Sequence, residues 1–262
     1  AGSEAVPAWS ADLPRGGRVR RSAPAAEPAA VYLPSCLNTL FAPAPGGTGV
    51  MAAVRRLADR AGLPLLVPDG VASLCCGTPW SSKGLPSGYA VMRDRVREVL
   101  HAATDGGRLP VVTDAASCTE GLHRLLEAAP DLRVVDAVTF VADHVLPQLP
   151  PGRRLASLAL HPTCSSVRLG LDAAIARIAE AVAERVVVPD GWQCCGFAGD
   201  RGLLHPELTA SATRAEAAAA VEGGHAAYAS VNRTCELGMS RATGEDYHHL
   251  LELLDQVTSA PA

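Results

Sequence analysis

From residue 30 onward, short runs of β-branched and apolar residues alternate with stretches in which apolar residues recur every three or four positions. "AAVYLP" (29–34) predicts a buried strand, and Val50, Met51, Val54, Leu57 and Ala61 mark one face of a helix over 48–61. "LPLLVPDG" (63–70) predicts a strand and turn. A helix over 87–103 follows, with Tyr89, Met92, Val96, Val99 and Leu100 on one face. Strands are expected at 109–117 and 132–137, the latter leading into a helix through Val145. The second half repeats the alternation. "LASLALHP", "RVVVPDG" and "AAYASVN" read as strands. Residues 171–184 and 206–222 read as helices, and "EDYHHLLELLDQV" reads as a closing helix. Strand–helix alternation of this kind builds parallel sheets covered by helices.

The alternation is an internal repeat. "VYLPSC" (31–36) matches "LALHPTC" (158–164), "VPDGVASLCCGTPWSSKG" (67–84) matches "VPDGWQCCGFAGDRG" (188–202), and "VVTDAASCTEGL" (111–122) matches "ASVNRTCELGM" (229–239). The expected fold is α/β, with two pseudo-symmetric repeats at 31–150 and 151–262. Each is a small parallel sheet flanked by helices, with its cysteine loops at the strand C-terminal ends. Residues 1–30 are aperiodic and rich in Ala, Pro, Gly and Arg, which predicts an extended linker or arm with Arg15, Arg18, Arg20 and Arg21 solvated.

Composition narrows the function. Hydrophobic residues make up 48% of the 262 but aromatics only 4%, so the core must be built from Ala, Val and Leu. A net charge of −4 offers no basic surface for nucleic acid or membrane. No apolar run reaches the roughly 20 residues of a membrane span, and no signal peptide is evident. A cytoplasmic location, or one peripheral to the inner face of the membrane, is expected. There is no glycine-rich phosphate loop in the strand–helix turns, so nucleotide binding is not expected in this chain.

All eight cysteines fall in the repeat, four to each half: Cys36, Cys75, Cys76 and Cys118, then Cys164, Cys194, Cys195 and Cys235. Each follows a predicted strand, where open α/β sheets bind ligands. Adjacent cysteines do not readily bridge each other, because the disulfide torsion is demanding, so Cys75–Cys76 and Cys194–Cys195 must look outward. Gly77 and Gly196 let the backbone take a positive φ so that both neighbouring thiolates face one centre. Helix N-termini beside them favour anionic sulfur. Four thiolates suit an iron–sulfur cluster or zinc; a thiol redox centre and disulfides are further readings of the same spacing. The short C-x-x-C knuckles of structural zinc sites are absent.

Cys…Cys-Cys-Gly…Cys, present twice, resembles the cysteine-rich CCG domain family, found in the B subunit of heterodisulfide reductase and in iron–sulfur subunits of glycolate oxidase, anaerobic glycerol-3-phosphate dehydrogenase and lactate-utilisation proteins. "CCGTPWSSKG", "HPTCS", "CCGFAGDRGLLHPELTASATRAEA" and "VNRTCELG" are most similar to the C-terminal region of bacterial FAD-dependent D-lactate or D-2-hydroxyglutarate dehydrogenases. The resemblance implies an iron–sulfur electron-transfer module, of 4Fe–4S type, with zinc an alternative in one half. It would serve an oxidoreductase whose FAD-binding and ferredoxin-like domains lie elsewhere, and a quinone or cytochrome would accept the electrons. The isolated chain would then lack activity without its FAD domain, and no catalytic residue is assigned in it. The chain departs from the family where the fuller motif ends in C-x-x-C: Gly121 and Gly238 stand in place of a fifth cysteine. Four cysteines do not supply the ligand set of the noncubane cluster held in heterodisulfide reductase. A zinc-stabilised docking module and a thiol/disulfide reductase are the rival readings.

Lys83 and Arg201 follow the two cysteine pairs at equivalent places and are candidates to balance a cluster's charge or hold a carboxylate. Asp200 is expected to pair with Arg201 or Arg233. His161 precedes Cys164 by three residues, where the first half has Leu33, and is expected to be a hydrogen-bonded loop histidine rather than a ligand. His205 opens a helix, His248 and His249 are expected on the surface of the last helix, Trp80 and Trp192 to cover the site, and Asn232 and Arg233 to line the cleft.

Overall fold

The computed structural model describes residues 13–259. The first half runs β1 (Ala30–Tyr32), α1 (Leu37–Leu40), α2 (Val50–Arg60), β2 (Leu65–Leu66), α3 (Thr78–Ser82), α4 (Pro86–Ala103), β3 (Val111–Thr113), α5 (Ala116–Leu125), β4 (Val134–Asp136) and α6 (Ala137–Phe140), which continues as a wider turn through Val145. The second runs β5 (Leu155–His161), α7 (Cys164–Arg168), α8 (Asp172–Val182), β6 (Ala183–Val187), α9 (Arg201–Leu204), α10 (Pro206–Gly223), β7 (Ala227–Ser230), α11 (Arg233–Thr243), β8 (Tyr247–His249) and α12 (Leu250–Ser259).

Each half forms one four-stranded, all-parallel sheet. The orders are β2-β1-β3-β4 and β6-β5-β7-β8, the same topology twice. The α/β fold with two pseudo-symmetric sheets is as the repeat implies. In both sheets the chain leaves the first strand to one side and returns to the other, so the switch points lie between β1 and β3 and between β5 and β7. Loops at the carboxyl ends diverge there and open a crevice.

Parallel strands are covered on both faces and read as continuous apolar runs; Val31, Tyr32, Val111, Val112, Leu158 and Ala159 are fully buried. Between the sheets lies a layer made of α2 and α6 from the first half and α8 and α12 from the second. Their apolar stripes merge into one core, with Leu57, Ile178, Leu250 and Leu254 fully buried. Each such side chain contributes about 1.5–3 kcal/mol. Asp255 on α12, almost fully buried, is gripped by Arg56 and Arg60 of α2, the latter at 2.8 Å. Glu252 accepts from the Gly49 backbone at 2.9 Å.

Three expectations are corrected. The closing helix begins at Leu250 because "YHH" pairs with β7 as the edge strand β8. His249 is therefore buried rather than exposed on a helix, and burial pushes its pKa down to about 3. His161 lies in a strand, not a loop. Of the N-terminal arginines, Arg15, Arg18 and Arg21 are exposed, but Arg20 is buried. The arm is held by an antiparallel bridge from Ala23 to Val67. Its first twelve residues lie outside the described ones.

Candidate metal centres

At the first switch point three loops carrying four cysteines converge. Cys36 caps α1 after β1, Cys118 lies in the first turn of α5 after β3, and Cys75–Cys76 arrive from the loop before α3. Gly77 caps α3 with φ +82°, and a Cβ there would meet Leu125 and Tyr89 at 2.8 Å, so the turn that aims the cysteine pair requires glycine. The thiols lie in the order Cys36, Cys75, Cys76, Cys118, and each shifts the titration of its neighbour. Donation from Cys75 lowers Cys36. Donation from Cys118, then Cys75, holds Cys76 well below the usual thiol value, and Cys118 is raised as the donor. Ser35 Oγ lies 3.3 Å from Cys118 Sγ, and Thr78 Oγ1 3.4 Å from Cys76 Sγ. Beneath them, buried Asp114 accepts from Tyr32, from the Ser35 backbone at 2.7 Å and from Asn38 at 2.8 Å, which fixes the β1 and β3 ends to each other.

The second switch point carries the equivalent set. Cys164 opens α7 under a Thr163–Ser166 capping box, Cys235 lies in the first turn of α11, and Cys194–Cys195 precede Gly196, whose φ is +69°. Cys164 contacts Cys194, Cys194 contacts Cys195, and Cys195 Sγ lies 3.1 Å from Cys235 Sγ. Cys195 and Cys235 are buried while Cys194 is exposed, so this centre opens to solvent on one side. His161 joins it. The ring is fully buried, and its Nδ1 is 2.8 Å from Glu216 Oε1, on α10. A carboxylate only accepts, so the proton sits on Nδ1. Nε2 has no hydrogen-bond partner of good geometry and faces the sulfurs. The ligand atoms of His161, Cys195 and Cys235 lie within 4.8 Å of one another. Burial lowers the His161 pKa, but the Cys195 sulfur and the Glu216 carboxylate outweigh it and raise the value to about 9.

The two sulfur-bearing edges face each other. α5 touches α7 and α1 touches α11, so each half's β1-type helix meets the other's β3-type helix. Arg168 bridges to Glu120 at 2.6 Å, Asn232 Nδ2 donates to Ser117 Oγ at 3.1 Å, and Lys83 pairs with Asp200 at 2.8 Å.

All eight predicted cysteines are thus gathered, four to an edge, as free thiols. Lys83 is the partner of Asp200, and Arg201 begins α9, exposed. The cations beside sulfur are Arg20 and Arg168. Arg20 lies at the four-cysteine cavity and donates to the carbonyls of Pro34 (3.0 Å), Ala72 (3.1 Å) and Leu74 (2.8 Å). Arg168 lies one helical turn on from Cys164, where its charge favours the thiolate. No periodicity marks Arg20, whereas Arg168 was findable as the i+4 neighbour of Cys164. Arg233 pairs with Glu236, not Asp200 (2.9 Å), His205 with Glu207 (3.3 Å). Trp192 donates to the Pro162 carbonyl (2.7 Å), and Trp80 packs on Gly88.

The places of the missing fifth cysteines are also visible. A Cβ on Gly121 would point to Cys76 Sγ (3.2 Å) but collide with Thr78 Oγ1 at 2.3 Å. One on Gly238 would meet Thr209 at 3.2 Å and Cys195 at 3.7 Å. Both positions face the centres, and in the first half a threonine hydroxyl fills the space.

Fold and site together define a cysteine-rich α/β protein with two facing thiol clusters, the second of which brings His161, Cys195 and Cys235 close enough together to hold a metal ion. The model of the CCG cysteine-rich domain family matches residues 158–240, from β5 into α11, and includes all four second-half cysteines, His161 and Glu216. No curated protein matches the chain. Among the described residues, no helix is long and apolar enough to cross a membrane.

Proposed function

We propose that the chain is the iron–sulfur electron-transfer module of an FAD-dependent D-2-hydroxy-acid dehydrogenase of the D-lactate or D-2-hydroxyglutarate type. The observation that carries the reading is the pair of four-thiol clusters at switch points that face each other. Soft thiolate donors at this density suit iron–sulfur clusters, which when bound take up and release single electrons. In this reading Cys36, Cys75, Cys76 and Cys118 hold one centre, and Cys164, Cys194, Cys195 and Cys235 the other. Burial of Cys76, Cys118, Cys195 and Cys235 keeps water from the inner sulfurs. Arg20 and Arg168 offset the thiolates' charge. Arg201, exposed at the start of α9, gives the rim positive charge toward an anionic partner or substrate carboxylate, and Lys83 follows the first cysteine pair at the equivalent place, paired with Asp200. The FAD-binding and ferredoxin-like domains supply electrons, and a quinone or cytochrome receives them.

A second reading, a zinc-stabilised module, is favoured by two observations. The cavity among the first-half thiols is only about 10 Å³, the size of one water or ion, and His161 adds a nitrogen donor to the second set. Iron, sulfide and zinc content of oxygen-free protein, with a visible and EPR spectrum of the same sample, decides. Four or more irons per chain with matching sulfide and a broad band near about 400 nm are expected. Colourless protein with stoichiometric zinc and no sulfide refutes the electron-transfer reading.

A further inference from the structure

The halves share a topology but not a ligand set. Three residues before the first cysteine, at the end of the first strand, one half has Leu33 and the other His161. The eleventh residue of the 18-residue helix that follows the cysteine pair is Val96 on α4 and Glu216 on α10. All four side chains are buried. The first half therefore builds the same frame with an apolar pair where the second buries an ionisable dyad. Burying two ionisable groups costs several kcal/mol each unless they are paired, and the first half shows that the frame does not require them. The dyad also leaves Nε2 of His161 and Oε2 of Glu216 without hydrogen-bond partners.

We propose that His161 Nε2 is a metal ligand beside Cys195 and Cys235, so that nitrogen joins the sulfurs in the second centre's ligand set, and Glu216 is the positioning residue that fixes the ring. The inference rests on the reading that the cysteines hold metal. The three donor atoms lie within 4.8 Å of one another, a spread that a single ion nearly spans with bonds of about 2.0–2.3 Å. The Nδ1–H···carboxylate bond is the contact that sets the tautomer of ligating histidines and raises their basicity. The solvent-facing Cys194 and the half-buried Cys164 stand outside this buried trio, whereas the first half offers only sulfur.

The test uses the full chain labelled with ¹⁵N-histidine. One metal-free portion is reconstituted without oxygen with ferrous iron and sulfide, another with Co(II), and nitrogen hyperfine coupling is read by pulsed EPR. Expected is a directly bound histidine nitrogen in wild type, kept in Glu216→Gln, which still offers an acceptor, and absent in His161→Leu. Co(II) affinity should fall about 10–100-fold in Glu216→Val. The double variant His161→Leu/Glu216→Val copies the apolar pair of the first half and serves where a single variant misfolds; the wild-type coupling alone decides if neither folds. Bound metal with no directly bound nitrogen, a coupling that survives His161→Leu, or no binding of either metal overturns the proposal. Failure to take up iron and sulfide, with a nitrogen-ligated Co(II) site, overturns the iron–sulfur reading and leaves this one standing.

Discussion

Arg20 offers the sharpest test of how the first centre is built. Arg20 is 4% exposed, and its guanidinium donates to three carbonyls on two segments that carry cysteines, Pro34 before Cys36, and Ala72 and Leu74 before Cys75. In Arg20→Met the apolar stem is retained and the three acceptors lose their donor. Each buried unsatisfied acceptor costs about 1–3 kcal/mol. Some water will enter from the surface side, so the expected loss is about 3–5 kcal/mol. Arg20→Lys keeps the charge but not the planar fork, and should lose about half as much. Urea unfolding of the reduced, metal-free protein measures both. Cys36 supplies a second readout, because the Arg20 charge adds to the hydrogen bond from Cys75 in lowering its pKa; alkylation of Cys36 should slow in the Met variant and less so in the Lys variant. A Met variant within about 0.5 kcal/mol of wild type would refute the role, since that is the range of an ordinary surface substitution.

Gly77→Ala should cost about 3 kcal/mol, combining a positive φ with contacts at 2.8 Å, and Gly196→Ala about 1–2 kcal/mol, because its nearest neighbour is 3.2 Å away; chemical denaturation separates the two. Burial raises Asp136 to about 6 from 3.8, so the fold binds its proton more tightly than the unfolded chain. Stability from this group should fall as pH rises from about 4 to 6, and Asp136→Asn, which keeps an oxygen for the Val138 N–H and turns its NH2 toward the Thr119 hydroxyl as acceptor, should flatten that slope and recover up to about 3 kcal/mol above pH 6, read from unfolding curves across the window. Gly121→Ala should be destabilising by about 2–3 kcal/mol in wild type and by under about 1 kcal/mol in a Thr78→Ala background, a double-mutant cycle that shows whether the Thr78 hydroxyl occupies the place of a fifth ligand.

The frame was legible in the chain because most strands are short apolar runs followed by a turn and a 3.6-period helix. Most helix bounds fall within two residues of expectation; α2 and α4 are examples. β8 was missed because "YHHLLELL" has a helical apolar spacing and its strand is only three residues at a sheet edge; the repeat held the remedy, since the same place in the first half is the strand "VVD". The sulfur positions followed from Cys-Cys-Gly and from strand ends. Charge compensation did not, because Arg20 reaches the site from an aperiodic arm and its partners are backbone carbonyls, which leave no mark on residue type.

What distinguishes the two centres is carried by a few substitutions at fixed positions of a repeated frame. Leu33 against His161, Val96 against Glu216, and Thr78 against Phe197 all lie within one layer of the sulfurs, while Asp114, which ties the β1 and β3 ends together, has no acidic counterpart at Val231. In the first half the uncharged polar groups beside sulfur are hydroxyls, Ser35 Oγ at 3.3 Å from Cys118 Sγ and Thr78 Oγ1 accepting from Cys76 Sγ at 3.4 Å. In the second half an imidazole and its carboxylate stand there, which bind metal in their own right. A duplicated scaffold so divided presents two unlike centres edge to edge. The contacts that hold the edges together, Asn232 to Ser117 and Arg168 to Glu120, come from residues within four positions of Cys235, Cys164 and Cys118.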